Sequence, residues 1–173
     1  MPVASPPPPN GTIGLEILED LPNVDSVIIP FGGGGLAAGI ATAIKGRKQS
    51  TRVYACETET AAPLAASFAT GSAQAIKRIP SFVDGIGAEN VLSEMWELVQ
   101  PLLDGSIVVS LREIASAIGL LFERNRVIAE GAGAASVAAA LTSKAGTGCV
   151  VCVVSGGNID LSKLGKILHG EIP

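Results

Sequence analysis

Charge is what this sequence has least of. Asp, Glu, Lys and Arg make up 16% of its 173 residues, against about a quarter in an ordinary soluble domain. The formal net charge is -4, and no cluster of Lys and Arg forms a stripe that would follow a phosphate backbone. That excludes a nucleic-acid surface and a polybasic membrane contact. Hydrophobic residues make up 47%, yet no run is long and apolar enough to span a bilayer. The opening MPVASPPPPN has neither the basic nor the apolar region of a secretion signal, which predicts a cytoplasmic, reduced chain. Histidine is nearly absent: His169 is the single one, and its place at the end of the last helical segment predicts a cap or surface role. Cysteine is scarce too. Cys149 and Cys152 form a C-x-x-C, but Cys56 is the only other thiol, so neither a zinc site nor a redox helix is set up. Both lie in CVVCVV, which reads as a buried strand with the thiols as small core residues.

What the chain does have is alternation. Residues 1–10 read as a proline-rich, disordered arm, with Pro6 to Pro9 favouring polyproline II, and residues 11–173 as one α/β domain. Helical spacing covers residues 12–20, 36–45, 62–70, 91–103, 111–125, 132–144 and 161–169, with Pro101 kinking or ending the fourth segment. Short β-branched runs at 24–30, 52–57, 106–110 and 149–154 read as strands, and residues 81–87 as a loop. Strands that alternate with helices predict an α/β fold, a three-layer sandwich around a mostly parallel sheet.

Between the first strand and its helix stands PFGGGGL, with Gly32, Gly33, Gly34 and Gly35 in succession. A glycine turn that opens a helix beyond a strand end presents free amides, and the helix dipole adds positive potential without a cation. One or two glycines satisfy a structural turn, so four point to an anion, and a phosphate in particular. Gly32-x-Gly34-x-x-Ala37 also satisfies the dinucleotide fingerprint, with Glu57 closing the next strand as the ribose partner, and an NAD(P)-binding Rossmann module stays open. A second glycine turn, Ser155-Gly156-Gly157-Asn158, follows the last strand. Two such turns imply a ligand held at both ends.

The succession GTIGLEILEDLP, VIIPFGGGGLAAGIA, VYACETETAAP, FVDGIGAENV, AEGAGAASVAAA and VVCVVSGGNIDL resembles the C-terminal half of the pyridoxal-phosphate-dependent serine/threonine dehydratase and serine racemase family. Those are fold type II enzymes, with the tryptophan synthase β-like fold. The resemblance implies that the backbone of Gly32, Gly33, Gly34, Gly35 and Leu36 cradles the phosphate of pyridoxal 5'-phosphate. It implies that Ser155, beside Gly156, meets the pyridine nitrogen, that Gly85 lies beside the ring, and that Glu130 is a nearby carboxylate. Without the resemblance, Glu130 also reads as an acid at a helix N-terminus, and Ser155 as the first residue of a turn. Some family members hold a divalent cation through the residues that match Glu57 and Ala61. The third ligand position here is Pro63, which has no carboxylate, and Glu57 reads equally as a solvated strand-end acid.

The family's Schiff-base lysine lies in an S-F-K-x-R-G-like segment, and its substrate-carboxylate loop reads S-x-G-N-H. Neither is found in this sequence. Lys45, Lys48, Lys77, Lys144, Lys163 and Lys166 sit in polar or helix-surface contexts, so no catalytic residue is assigned. The expectation is a cofactor-binding piece of a lyase or racemase that is inactive alone and meets an amino-acid substrate only with its other half. A catalytically silent assembly domain is the remaining alternative. An apolar face without its usual cover predicts a homo-oligomer, built on the region from Val24 to Ile44.

Overall fold

Strand β1 (Ser26–Pro30) is buried at every position, because it lies in the middle of a sheet with helices on both faces. In the computed structural model, which describes residues 10–173, four parallel strands run in the order β3-β2-β1-β4. The others are β2 (Arg52–Thr58), β3 (Gly105–Val109) and β4 (Val150–Cys152). β1 pairs with β2 from Ser26 opposite Arg52 to Pro30 opposite Cys56, and with β4 from Ser26 opposite Val150 to Ile28 opposite Cys152. The proline arm expected over residues 1–10 lies, apart from Asn10, outside the described residues.

The two faces follow from the period of a strand. Val27 and Ile29 of β1, with Val53 and Ala55 of β2, join one core with α1 (Gly11–Asp20), α2 (Gly35–Arg47), α3 (Pro63–Thr70) and α4 (Ser93–Val99). Ile28, Cys56, Ile107 and Val109 point the other way. They meet α5 (Leu111–Leu120), α6 (Gly131–Leu141) and α7 (Leu161–Leu168). Burial on both faces is why the strands read as continuous apolar runs, as parallel strands do. The three-layer α/β sandwich is therefore as expected.

Four local expectations are corrected. The helix expected over 91–103 is reduced to α4. Val91 donates its amide to the Gln74 carbonyl, which keeps it extended, and the helix stops before Pro101, whose ring has no N–H to continue it. The helix expected over 111–125 is α5 followed by a π-helical turn, Leu121–Asn125, closed by Arg126 in the left-handed region. CVVCVV is not a fully buried strand. β4 is an edge of the described sheet, so Cys152 is half-buried and Cys149 is exposed, while Cys56 is the thiol in the core. Lastly, the apolar face expected at Val24 to Ile44 does not face outward: Val24, Val27, Ile28, Ile29, Ile40 and Ile44 are all buried in the sandwich.

His169 does sit at the end of α7. Its Nδ1 lies 2.7 Å from the Gly165 carbonyl, which can only accept, so the proton is on Nδ1 and the ring serves the helix terminus.

Candidate cofactor site

The glycine run lies just past the C-terminal end of β1 and leads into α2. Its four residues have different reasons for lacking a side chain. Gly34 is in the left-handed region at φ 91°, and a Cβ there would fall 2.6 Å from Met95 Sδ. A Cβ on Gly32 would make ordinary contact with the Gly85 carbonyl at 3.6 Å. On Gly33 and Gly35 it would meet nothing within 4 Å, and both residues are exposed. Packing therefore does not require these two glycines. Among the described residues, the amides of Gly32 through Ala37 find no acceptor, while Ala38 donates to the Gly34 carbonyl at 2.8 Å and begins the helical ladder. The result is an open shelf of donors at a helix start, the arrangement that receives a phosphate.

The other expected residues converge on the same end of the sheet. Glu130 is the N-cap of α6, and its own amide donates to the Gly156 carbonyl at 3.1 Å. Its side chain reaches between two loops. Oε2 accepts from the Asn158 amide at 3.1 Å, and Oε1 lies 2.9 Å from where a Gly85 Cβ would be and 2.6 Å from where a Gly156 Cβ would be. Any side chain at either glycine would displace the carboxylate. Gly133 of α6 is held bare by the Gly156 carbonyl and Gly131 by Val83, which explains the spacing of AEGAGA: α6 butts its first turn against both loops. Ser155 is exposed, and its hydroxyl makes no hydrogen bond among the described residues. Gly32, Gly85, Glu130 and Gly156 are thus brought together, with Ser155 following β4 at the same rim. Two cavities, of about 240 and 280 Å³, open elsewhere, around Arg112 on α5. With Gly33 and Gly35 exposed and nothing within 4 Å of their Cβ positions, the glycine run forms an open ledge.

Glu57 departs from every role expected of it. It is 1% exposed rather than solvated. Oε1 accepts from the Leu64 amide at 2.9 Å, and Oε2 from the Ala65 amide at 2.8 Å and the Ser106 hydroxyl at 2.7 Å. It holds the start of α3, whose N-cap residue, Ala62, has no oxygen to do so. Burial pushes its carboxyl pKa up, and the Ser106 hydroxyl and the two amides oppose that rise. With both oxygens engaged inside, it is not presented to a ribose. Among the described residues no three His, Cys, Asp or Glu side chains come together around one point, and the divalent cation at Glu57 and Ala61 gains no support. The clue in the sequence was AAPL, a helix start with Pro at its first turn and no capping residue, which needs a carboxylate from another element.

The comparisons decide the family. The model of the family described as pyridoxal-phosphate dependent enzyme matches residues 9–156. The chain belongs to the pyridoxal-phosphate dependent enzyme family. An L-threonine ammonia-lyase of Thermotoga maritima is 42% identical over 160 residues, which cover 92% of this chain and 40% of that protein. The solved structure of the processed form of threonine deaminase isoform 2 from Solanum lycopersicum superposes with a TM-score of 0.86 at 34% identity, covering 92% of this chain and 48% of that one. Maize serine racemase superposes at 0.79 with 34% identity, over 93% and 52%. This member of the pyridoxal-phosphate dependent enzymes spans less than half the length of the curated relatives it matches. The region it shares is that of threonine dehydratases and serine racemases, and the α/β sandwich is their fold. No helix among the described residues is long and apolar enough to cross a membrane.

Proposed function

We propose that the chain supplies the phosphate cradle and the ring contacts of a pyridoxal-phosphate-dependent threonine or serine ammonia-lyase, or of a racemase of that family. The observation that carries this is the pair Gly33 and Gly35, bare where no packing demands it, within a row of amides that lack acceptors. In this reading, Gly32 to Leu36 hold the phosphate, while the exposed Ser155 hydroxyl faces the pyridine nitrogen and Gly85 leaves the ring room. Glu130 fixes the two loops to each other. The cofactor, when bound, supplies an electron sink for chemistry at an amino-acid α-carbon. A serine partner cannot hold a full positive charge on the ring as an aspartate would, and the weaker sink suits loss of a β-hydroxyl better than transamination. Substrate contacts, the cytoplasmic location and self-association belong to the same proposal.

Lys45, Lys48 and Lys163 are engaged elsewhere and are poor carriers for the cofactor. Lys45 is paired with Asp104 at 2.8 Å, and Lys48 donates to the Pro22 and Val24 carbonyls. Lys163 reaches the Asp84–Gly85 loop but is paired there with Asp84 at 3.3 Å and with Asp160 at 3.5 Å. The Asp84 carboxylate is the larger cause of its raised pKa, which keeps the amine protonated and unreactive.

Calorimetric titration and borohydride trapping test the proposal together. Inorganic phosphate and pyridoxal phosphate should compete for one weak site, peptide mapping after reduction should find no single lysine labelled stoichiometrically, and the chain alone should release no pyruvate from serine. One fully labelled lysine, or robust pyruvate release, would overturn the missing-lysine reading. Stoichiometric NAD binding with no phosphate competition would overturn the cradle itself.

A further inference from the structure

Four consecutive glycines give a loop that, by itself, has no reason to prefer one shape. A cradle whose amides converge must have its conformation selected from outside. On the open side of this loop nothing lies within 4 Å of the Cβ positions of Gly33 and Gly35. On the protein side, the nearest atoms to the Cβ position of Gly34 are Met95 Sδ at 2.6 Å, Met95 Cγ at 2.7 Å and Phe31 Cε2 at 3.1 Å. Phe31 is three residues away along the chain, buried at the end of β1 with its amide on the Cys56 carbonyl, and its ring stands farther off than the thioether. Met95 comes from α4, a separate element, and is half-buried. Its height is set in turn by the next residue: the Trp96 ring meets Phe68 of α3 edge to face, with centroids 5.2 Å apart and planes at 76°.

We infer that Met95 is a positioning residue for the phosphate cradle, the thioether shelf that holds Gly34 in its left-handed conformation and so aims the amides of Gly33 to Leu36 outward. The inference rests on the phosphate reading of the glycine run and adds what gives that run its shape. Met suits the task because a flexible thioether fills an irregular gap beneath bare backbone, where a β-branched side chain would push the loop up. Shortening the shelf leaves Gly34 free to collapse inward, and amides that no longer converge bind a phosphate less well.

Phosphate and pyridoxal phosphate affinity, measured by calorimetry beside thermal unfolding, test this. Met95→Ala should weaken binding of inorganic phosphate by about tenfold, as small displacements of a preorganised site do. Met95→Leu, which restores the bulk, should stay within about threefold of the parent, since Leu and Met exchange with little repacking. Leu98→Ala, on the exposed side of the same helix, should leave affinity unchanged. Full affinity in a folded Met95→Ala variant would overturn the inference. If the parent chain binds no phosphate at all, the cradle reading fails first, which separates the two. Should Met95→Ala not fold, the Met95 methyl resonance of the parent chain decides: Met1 is the only other methionine, and the Met95 signal should shift on phosphate addition. A resonance that stays constant while phosphate binds would equally overturn the role.

Discussion

Glu57 carries the largest difference between what its place in the sequence implies and what its side chain does. A strand-end acid after a glycine turn reads as a ligand for a ribose or a metal, but here its carboxyl is the missing cap of α3, tied to Leu64, Ala65 and Ser106. Replacing it with Gln keeps the volume and places an NH2 against donors, leaving one of them buried without an acceptor. Glu57→Gln should therefore lower stability by about 1–3 kcal/mol in denaturant unfolding. The pH dependence follows from the raised folded pKa. The folded chain holds the Glu57 proton more tightly than the unfolded chain does, so this contribution is complete below the ordinary carboxylate range. It declines as pH rises through the raised value. Parent stability relative to Glu57→Gln should fall across that window and level off above it; a difference that grows with pH would refute the assignment. By contrast, Gly32 and Gly156 were legible because bare backbone at strand ends has few purposes, whereas Gly85 and Glu130 were joined to them only by the family resemblance. Met95 was not legible: a methionine on a helix pattern looks like any core residue until the loop above it is placed.

Elements were legible where periodicity and caps agree. α5 begins where the sequence says it should, because Ser110 and Glu113 form a capping box: Glu113 donates its amide to Ser110 Oγ, and Glu113 Oε2 accepts from the Ser110 amide at 2.7 Å. The same serine ends β3 one residue earlier than the apolar run predicts. Ser110→Ala should cost about 1 kcal/mol of stability, read from the shift in denaturation midpoint. The Ser110 amide, then its hydroxyl, hold the Glu113 carboxyl below its usual pKa. That sign is opposite to Glu57: the stabilisation is present above the unfolded carboxylate pKa and is lost as pH falls through the lowered folded value. Glu113→Gln, which removes the titrating group, should thus shrink the acid limb of the stability curve, and an unchanged acid limb would refute the box. Where elements were misread, the cause was tertiary. Val91 is drawn out of its helix by the Gln74 carbonyl, and the π-helical turn after α5 has no signature in the run LFERN.

Over the whole molecule, the low charge and the parallel sheet together decide which surface is unfinished. The sandwich covers β1 and the run of α2 from Ala37 to Ala41 with Ala43 and Ile44, so the chain's apolar excess does not emerge there. Part of it emerges at β4, whose residues are half-buried, and in the segments next to it in sequence, where Val154 and Leu161 are exposed. β4 pairs on one side only among the described strands, with β1. Because the Val153 amide donates inward to the Ile28 carbonyl, the alternate residues Val150, Cys152 and Val154 turn their amides toward the free edge. An unpaired edge beside apolar side chains, with few charges to keep another chain away, favours strand addition. The expected self-association therefore belongs at β4 and not at the buried region from Val24 to Ile44. Sedimentation across a concentration series should find a dimer or larger species that dissociates on dilution. Val154→Lys places a charge on that edge without touching the glycine ledge, and should shift the population toward monomer while leaving phosphate affinity intact. A parent chain that stays monomeric and soluble at every concentration, and unfolds cooperatively, would mean that the sandwich closes its core without help and that the β4 edge is simply tolerated.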